Sequence, residues 1–385
     1  MHLLGMARLA FLSLGTTAAL GLAVLAANGG LGSSATTASA QAQEPRDLIV
    51  LAGAGQDTVM VTAFFPQSIR IRAGDTLTWR NESDQDHVVG FAQGSTPPGP
   101  TTSNVQGAPG ERIPSANVPV PGRPGITMSN PARGFPNVES GATYSGNTFV
   151  SSGRLQKDLD WAGVPVPDSF SLTFDTPGTY PYLCLVHPEN MSGTVEVVAP
   201  SAADVPSQAE IDAVAQAEMG LLLARVEPGR AAQSASAQNE PGPNNSQFWY
   251  VRAGNSEQGA VEARVQLMEF LPRDVTITAG DTVIWRALSL HTATFVPSPP
   301  SPAFFLPEAQ PEGPPWMVRN NLIVERAKPA GVFNPAQYFN SGPLNPPGAT
   351  STAWGLTFDT PGTFEYICGV HQELGMKGTI TVLPR

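Results

Sequence analysis

Apolar residues alternate with polar ones along much of this chain, and period two is the mark of a half-buried strand. Ile69 and Ile71, then Leu77 and Trp79, fall on one side of their segments, as do Phe170, Leu172 and Phe174, and then Tyr180, Tyr182 and Cys184. The same alternation returns downstream in Trp354, Leu356 and Phe358, and in Phe364, Tyr366 and Cys368. Turn chemistry separates these runs. Ala73-Gly74-Asp75 is one turn, and Thr176-Pro177-Gly178-Thr179 puts Pro then Gly at the two central positions, as a type II turn requires. The parity places both cysteines on the inward faces of their strands.

The recurrence is a duplication. Phe64-Phe-Pro-Gln-Ser-Ile-Arg-Ile-Arg-Ala-Gly-Asp-Thr-Leu-Thr-Trp-Arg80 matches Phe270-Leu-Pro-Arg-Asp-Val-Thr-Ile-Thr-Ala-Gly-Asp-Thr-Val-Ile-Trp-Arg286. Leu172-Thr-Phe-Asp-Thr-Pro-Gly-Thr-Tyr-Pro-Tyr-Leu-Cys184 likewise matches Leu356-Thr-Phe-Asp-Thr-Pro-Gly-Thr-Phe-Glu-Tyr-Ile-Cys368. A repeat of this length is one structural unit used twice. It divides the chain into an N-terminal segment 1–42, a first domain 45–198, a linker 199–247 and a second domain 248–385. Inside each domain a Pro/Gly-rich excursion, roughly 93–146 and 297–347, lacks periodicity and reads as a cover over part of its domain, as the contact between domains, or as surface decoration. The excursions end in similar phrases, at 147–153 and 337–342. In the linker, Ser207-Gln-Ala-Glu210 is a capping box, and Ile211, Val214, Ala215 and Leu222 follow at helical spacing. A short docked helix is expected there, and the polar stretch 230–245 is expected to be a flexible tether.

Composition narrows the class. Of 385 residues only 14% are charged, while Gly and Pro number 38 each, a balance that suits an all-β protein with long loops. The net charge of −11 leaves no basic stripe to neutralise phosphates, which argues against nucleic acid as a partner. Arg8, the apolar run from Leu9 to Ala27 and the small residues Ala38-Ser39-Ala40 read as an export signal. Uncleaved, the same run would associate the protein with a membrane as an anchor. Either way the body of the chain is expected to be extracytoplasmic: periplasmic, secreted or on the outer membrane face.

The chemistry sits in the duplicated segments. Both cysteines and four of the five histidines form two copies of one pattern. The first is His87 and then Cys184-Leu-Val-His187-Pro-Glu-Asn-Met191; the second is His291 and then Cys368-Gly-Val-His371-Gln-Glu-Leu-Gly-Met376. A thiolate, two imidazoles and a nearby thioether suit a blue-copper electron-transfer site. A disulfide between the two cysteines is the competing use, but the same Cys-x-x-His spacing with a following Met in both copies favours ligands. Zinc is the competing metal, yet structural zinc prefers four strong donors and the recurrent Met favours copper.

On these residues the chain resembles two cupredoxin domains in tandem, each similar to the plastocyanin, pseudoazurin and amicyanin family of type 1 copper proteins. The resemblance implies two Greek-key β-sandwich domains, with His87, Cys184, His187 and Met191 holding one copper and His291, Cys368, His371 and Met376 the other. The His-to-Met loop of the first copy is one residue shorter, and its Glu82-to-Asp86 segment is expected to bulge beside the site. Thr292 follows the first histidine of the second site as a polar residue, where the first site has Val88. Tandem cupredoxins that are oxidases or nitrite reductases use further histidines, often as His-x-His. Only His2 remains here, in the export segment, so no enzyme activity is expected. The implied function is an exported electron carrier that serves redox partner proteins through two Cu(I)/Cu(II) sites; the alternative is an extracytoplasmic copper-delivery protein.

Overall fold

The computed structural model describes residues 43–385 apart from 57, 93–116, 157–159, 162–163, 189, 235–236, 256–263, 328 and 345–352. The export segment and the first part of the first excursion therefore lie outside the described residues.

Each repeat is a sandwich of two sheets. In the first repeat one sheet orders Val59–Phe65, Asp47–Gln56, Thr76–Arg80, Ser169–Phe174 and Ala142–Tyr144; the other orders Ser68–Arg72, Ser192–Val198, Gly178–Cys184, Val89–Phe91 and Val150–Ser151. The second repeat reproduces this with Gln247–Ala253, Asp281–Ala287, Ala353–Phe358 and Gly331–Val332 facing Asp274–Thr278, Lys377–Leu383, Gly362–Ile367, Thr294–Phe295 and Phe339–Asn340. The alternation in sequence becomes alternation in burial: Ser169–Phe174 and Gly178–Cys184 each bury every second residue. Trp79 and Trp285 fill the centres of the two cores at 0% exposure, with Phe91 and Phe295 edge-on to them. Aromatic pairs of this kind give each sandwich a rigid middle.

The described parts of the excursions join the two repeats. Asn117–Pro119 and Thr127–Ser129 of the first join Phe305–Glu308 and Trp316–Arg319 of the second in one four-stranded sheet, through the pair Val318 and Met128. Val118, Val120, Met128 and Val318 are its buried core. A second splice lies at Val265–Leu267, which pairs with Val59–Phe65 at the edge of the first repeat's sheet.

The linker is more ordered than its composition predicts. The capping box forms, with Ser207 donating to Glu210 Oε2 through both its N–H and its hydroxyl at 2.8 Å. The helix then runs over Gln208–Ser234, 27 residues, and Gln238–Pro241 pairs with Gln247–Ala253. Burial follows a narrow stripe, with Ile211 and Ala215 buried and Leu222 partly so, whereas Val214 is 48% exposed on the flank. Tertiary bonds extend the helix beyond its own signals: Gln208 brackets the backbone of Ile49 and Glu218 accepts from the Gln67 N–H.

Candidate metal centres

Cys184 ends the strand Gly178–Cys184 and Cys368 follows Gly362–Ile367, so each thiol emerges at the same end of its sandwich. The loop after each cysteine folds back by backbone bonds. His187 N–H donates to the Cys184 carbonyl, Met191 N–H to the His187 carbonyl, and Cys184 N–H to the Met191 carbonyl. The second loop repeats this with His371, Met376 and Cys368. One folded loop thereby carries the cysteine, the second histidine and the methionine of each repeat. The first histidine comes from the opposite side, fixed by backbone bonds of His87 to Leu155 and of His291 to Leu344.

The predicted cysteine and histidines converge in both repeats. Cys184 Sγ lies 3.8 Å from His87 Nδ1 and 3.6 Å from His187 Nδ1. Cys368 Sγ lies 3.9 Å from His291 Nδ1 and 3.5 Å from His371 Nδ1, and the two Nδ1 atoms are 3.2 Å apart. Cys184, Cys368, His87, His291, Met191 and Met376 are all buried, and both cysteines are free of disulfides. A first-row metal with bonds of about 2.0–2.3 Å to nitrogen and sulfur spans donor separations of this size. The donor set therefore fits a metal, and its soft sulfur content fits copper.

Electrostatics prepare these groups. Burial, with charge repulsion from His187, pulls His87 down to about 3; burial likewise holds His187 and His371 at about 4 and His291 well below its ordinary value. All four imidazoles are thus neutral at pH 7, with lone pairs free for a metal. Burial pushes the Cys184 thiol up to about 11 and raises Cys368, each partly offset by a backbone N–H, from Val88 or Thr292, that donates to sulfur at 3.4 Å.

Several supporting residues escaped the sequence. Gly53 and Gly254, both at positive φ, press against the two first histidines: an added Cβ would sit 2.0 Å from His87 Nε2 and 2.3 Å from His291 Nε2. The parallel phrases Val50-Leu-Ala-Gly53 and Val251-Arg-Ala-Gly254 carry that signal. Ser83 is the third. The 82–86 bulge does form, and Asn81 ties it down by accepting from the Ser83 N–H and hydroxyl and donating to the carbonyls of Gln85 and Leu155. Ser83 Oγ then meets His87 Nε2 at 3.2 Å, a polar partner that the first site takes from the bulge rather than from position 88. Thr292 instead accepts from the Gly369 N–H at 2.8 Å and so pins the ligand loop of the second site.

The surroundings differ between the sites. Asp86 pairs with Arg154 at 2.9 Å beside the first; burial works to raise its carboxyl, but Arg154 and the imidazoles hold it below its ordinary value. His187 Nε2 lies 3.1 Å from Gln85 Nε2, which also donates to Gln266 Oε1 of the second repeat at 3.3 Å.

Comparison with known proteins agrees with this geometry. A profile described as "Copper binding proteins, plastocyanin/azurin family" matches residues 257–383. Plastocyanin from Scenedesmus fuscus is 34% identical over 113 residues, which is 29% of this chain and 85% of that one. The chain belongs to the plastocyanin/azurin family. Chloroplastic plastocyanin of Physcomitrium patens is 29% identical over 198 residues, 48% of this chain and 98% of its own. A solved copper(I) amicyanin variant aligns over 40% of this chain and 82% of its own at 17% identity, with a TM-score of 0.21. Family membership and the duplicated His-Cys-His-Met groups make each group a type 1 copper site, two per chain of this plastocyanin-like protein.

Proposed function

We propose that this chain is an exported electron carrier with His87, Cys184, His187 and Met191 as the ligands of one copper and His291, Cys368, His371 and Met376 as those of the other. The observation that carries this reading is the buried convergence of one thiol and two imidazole Nδ1 atoms in each repeat. Bound copper supplies a one-electron couple. The chain supplies a frame that resists rearrangement: backbone bonds fix each ligand loop, glycines and Ser83 seat the first histidines, and packed aromatics stand behind both. Little movement on oxidation or reduction is what fast electron exchange requires. Burial of both thiols also supports a resident metal over one in transit for delivery.

The extracytoplasmic location rests on the export-type N-terminus, and among the described residues no helix is long and apolar enough to cross a membrane. Electrons would pass to and from redox partner proteins, and the histidine count leaves none for a catalytic copper. Copper analysis and visible absorption of the Cu(II)-loaded chain test the proposal. Two coppers and an intense thiolate-to-copper band are expected, with Cys184→Ser and Cys368→Ser each removing half of both. A colourless chain, or loss of both sites in either variant, overturns it.

A further inference from the structure

Between the repeats lies a cavity of about 680 Å³ whose walls include His187 from the first site and His291 and His371 from the second. Arg133, Arg154 and Arg319 also line it, together with the acids Asp84, Asp86 and Glu373. Arg154 is engaged by Asp86. Arg133 is only 5% exposed, and no acid among the described residues pairs with it directly: Asp86 acts on it only through space, its carboxylate being taken up by Arg154. Arg319 stacks on Phe304, and its buried Nε has no partner. Buried arginine is ordinarily paired with an acid, because an unpaired charge away from water is costly.

The duplication shows that the fold does not need this charge. Arg133 lies in the helical turn Pro131–Gly134, capped by Asn130. The second repeat builds the same turn over Asn321–Val324, capped by Asn320, and places Ile323 at the matching position. Ile323 is fully buried and packs over Gly369, beside the ligand Cys368; in the first repeat the residue after the cysteine is the bulkier Leu185, also fully buried. An apolar side chain therefore suffices at this position in one copy, and the other copy spends a buried cation there.

We propose that the cavity is a binding site for a small organic anion, a carboxylate on an apolar body, held by Arg133 and Arg319. A guanidinium offers a planar fork of donors that matches a carboxylate. Val186, Leu290, Phe304, Phe305 and Met317 supply apolar walls, and the volume is in the range of small-ligand sites. A ligand seated there would lie against both ligand loops, where its charge would act on both sites.

Calorimetric titration of the copper-loaded full chain with benzoate, and separately with sulfate, tests this. Saturable binding of one benzoate per chain is expected. Arg133→Met and Arg319→Met should each weaken it at least tenfold, while Arg70→Met, on the outer surface, leaves it unchanged. Unaltered benzoate affinity in Arg133→Met, or no saturable binding, overturns the site. Sulfate binding as tightly as benzoate overturns the apolar-body specificity. Should Arg133→Met fail to fold, Arg319→Met decides. The arginines need no metal, so benzoate should also bind the metal-free chain; failure here leaves the electron-carrier reading standing, and a colourless protein that still binds benzoate would sink only the latter.

Discussion

Gly53 and Gly254 accept only a hydrogen as side chain, because the imidazoles of His87 and His291 occupy the space a methyl group would take. Their positive φ adds backbone strain for any other residue. Gly53→Ala is therefore expected to displace His87 and halve the visible band, and Gly254→Ala to do the same through His291, which absorbance per chain at saturating copper will show. A second prediction follows from the thiols. With Cys184 raised to about 11 by burial and the imidazoles of His87 and His187 lowered to about 3 and about 4, the first site before metal loading holds a neutral thiol and neutral rings at pH 7. Metal takes the thiolate, so loading should release about one proton per site, and affinity should rise with pH until the thiol itself ionises. Titration in weakly buffered solution with an indicator measures it; release of two or more per site would mean that the histidines start out charged. The two His-Cys-His clusters were legible because their residues recur as phrases. The glycines and Ser83 were not, because their importance lies in contacts with His87 and His291 that form only after folding.

Glu269 organises a junction of three elements. Its carboxylate accepts from Arg230 Nε at 2.8 Å and Nη2 at 2.6 Å, which ties the helix end to the second repeat, and from the Thr58 hydroxyl of the first. Partial burial works to raise its pKa, but the Arg230 and Thr58 bonds prevail and hold it below the ordinary glutamate value. A carboxylate whose folded pKa is depressed contributes stability above its unfolded pKa and loses it as pH falls through the folded one. Glu269→Gln is thus expected to cost about 1–3 kcal/mol at pH 7 in urea unfolding, with the gap to the wild type closing below about pH 4. A gap that persisted at low pH would deny the ion pair its role. Sequence showed where this helix starts, since Ser207 and Glu210 are local partners. It could not show where the helix ends, because Arg230 is held by a residue 39 positions away.

At the scale of the molecule the two repeats are spliced, and period-two alternation cannot report this, since it says which face of a strand is buried and not which sheet the strand joins. Val265–Leu267 follows the linker yet completes a sheet of the first repeat, and Met60 of the first repeat is buried in the core of the second. Ala54, Val61, Ala63 and Phe65 share a further core with Val265, Leu267, Leu271 and Ala215 of the helix. Neither sandwich can open without uncovering this shared cluster. The metal-free chain should therefore unfold in one calorimetric transition whose van't Hoff and calorimetric enthalpies agree. Leu267→Ala, which deletes a buried side chain from the splice, should cost about 2–5 kcal/mol and lower that one transition without dividing it. Two resolved transitions in the wild type, or a variant in which only one repeat melts early, would mean that the sandwiches fold independently and that the cavity between the two sites is a hinge rather than a fixed chamber.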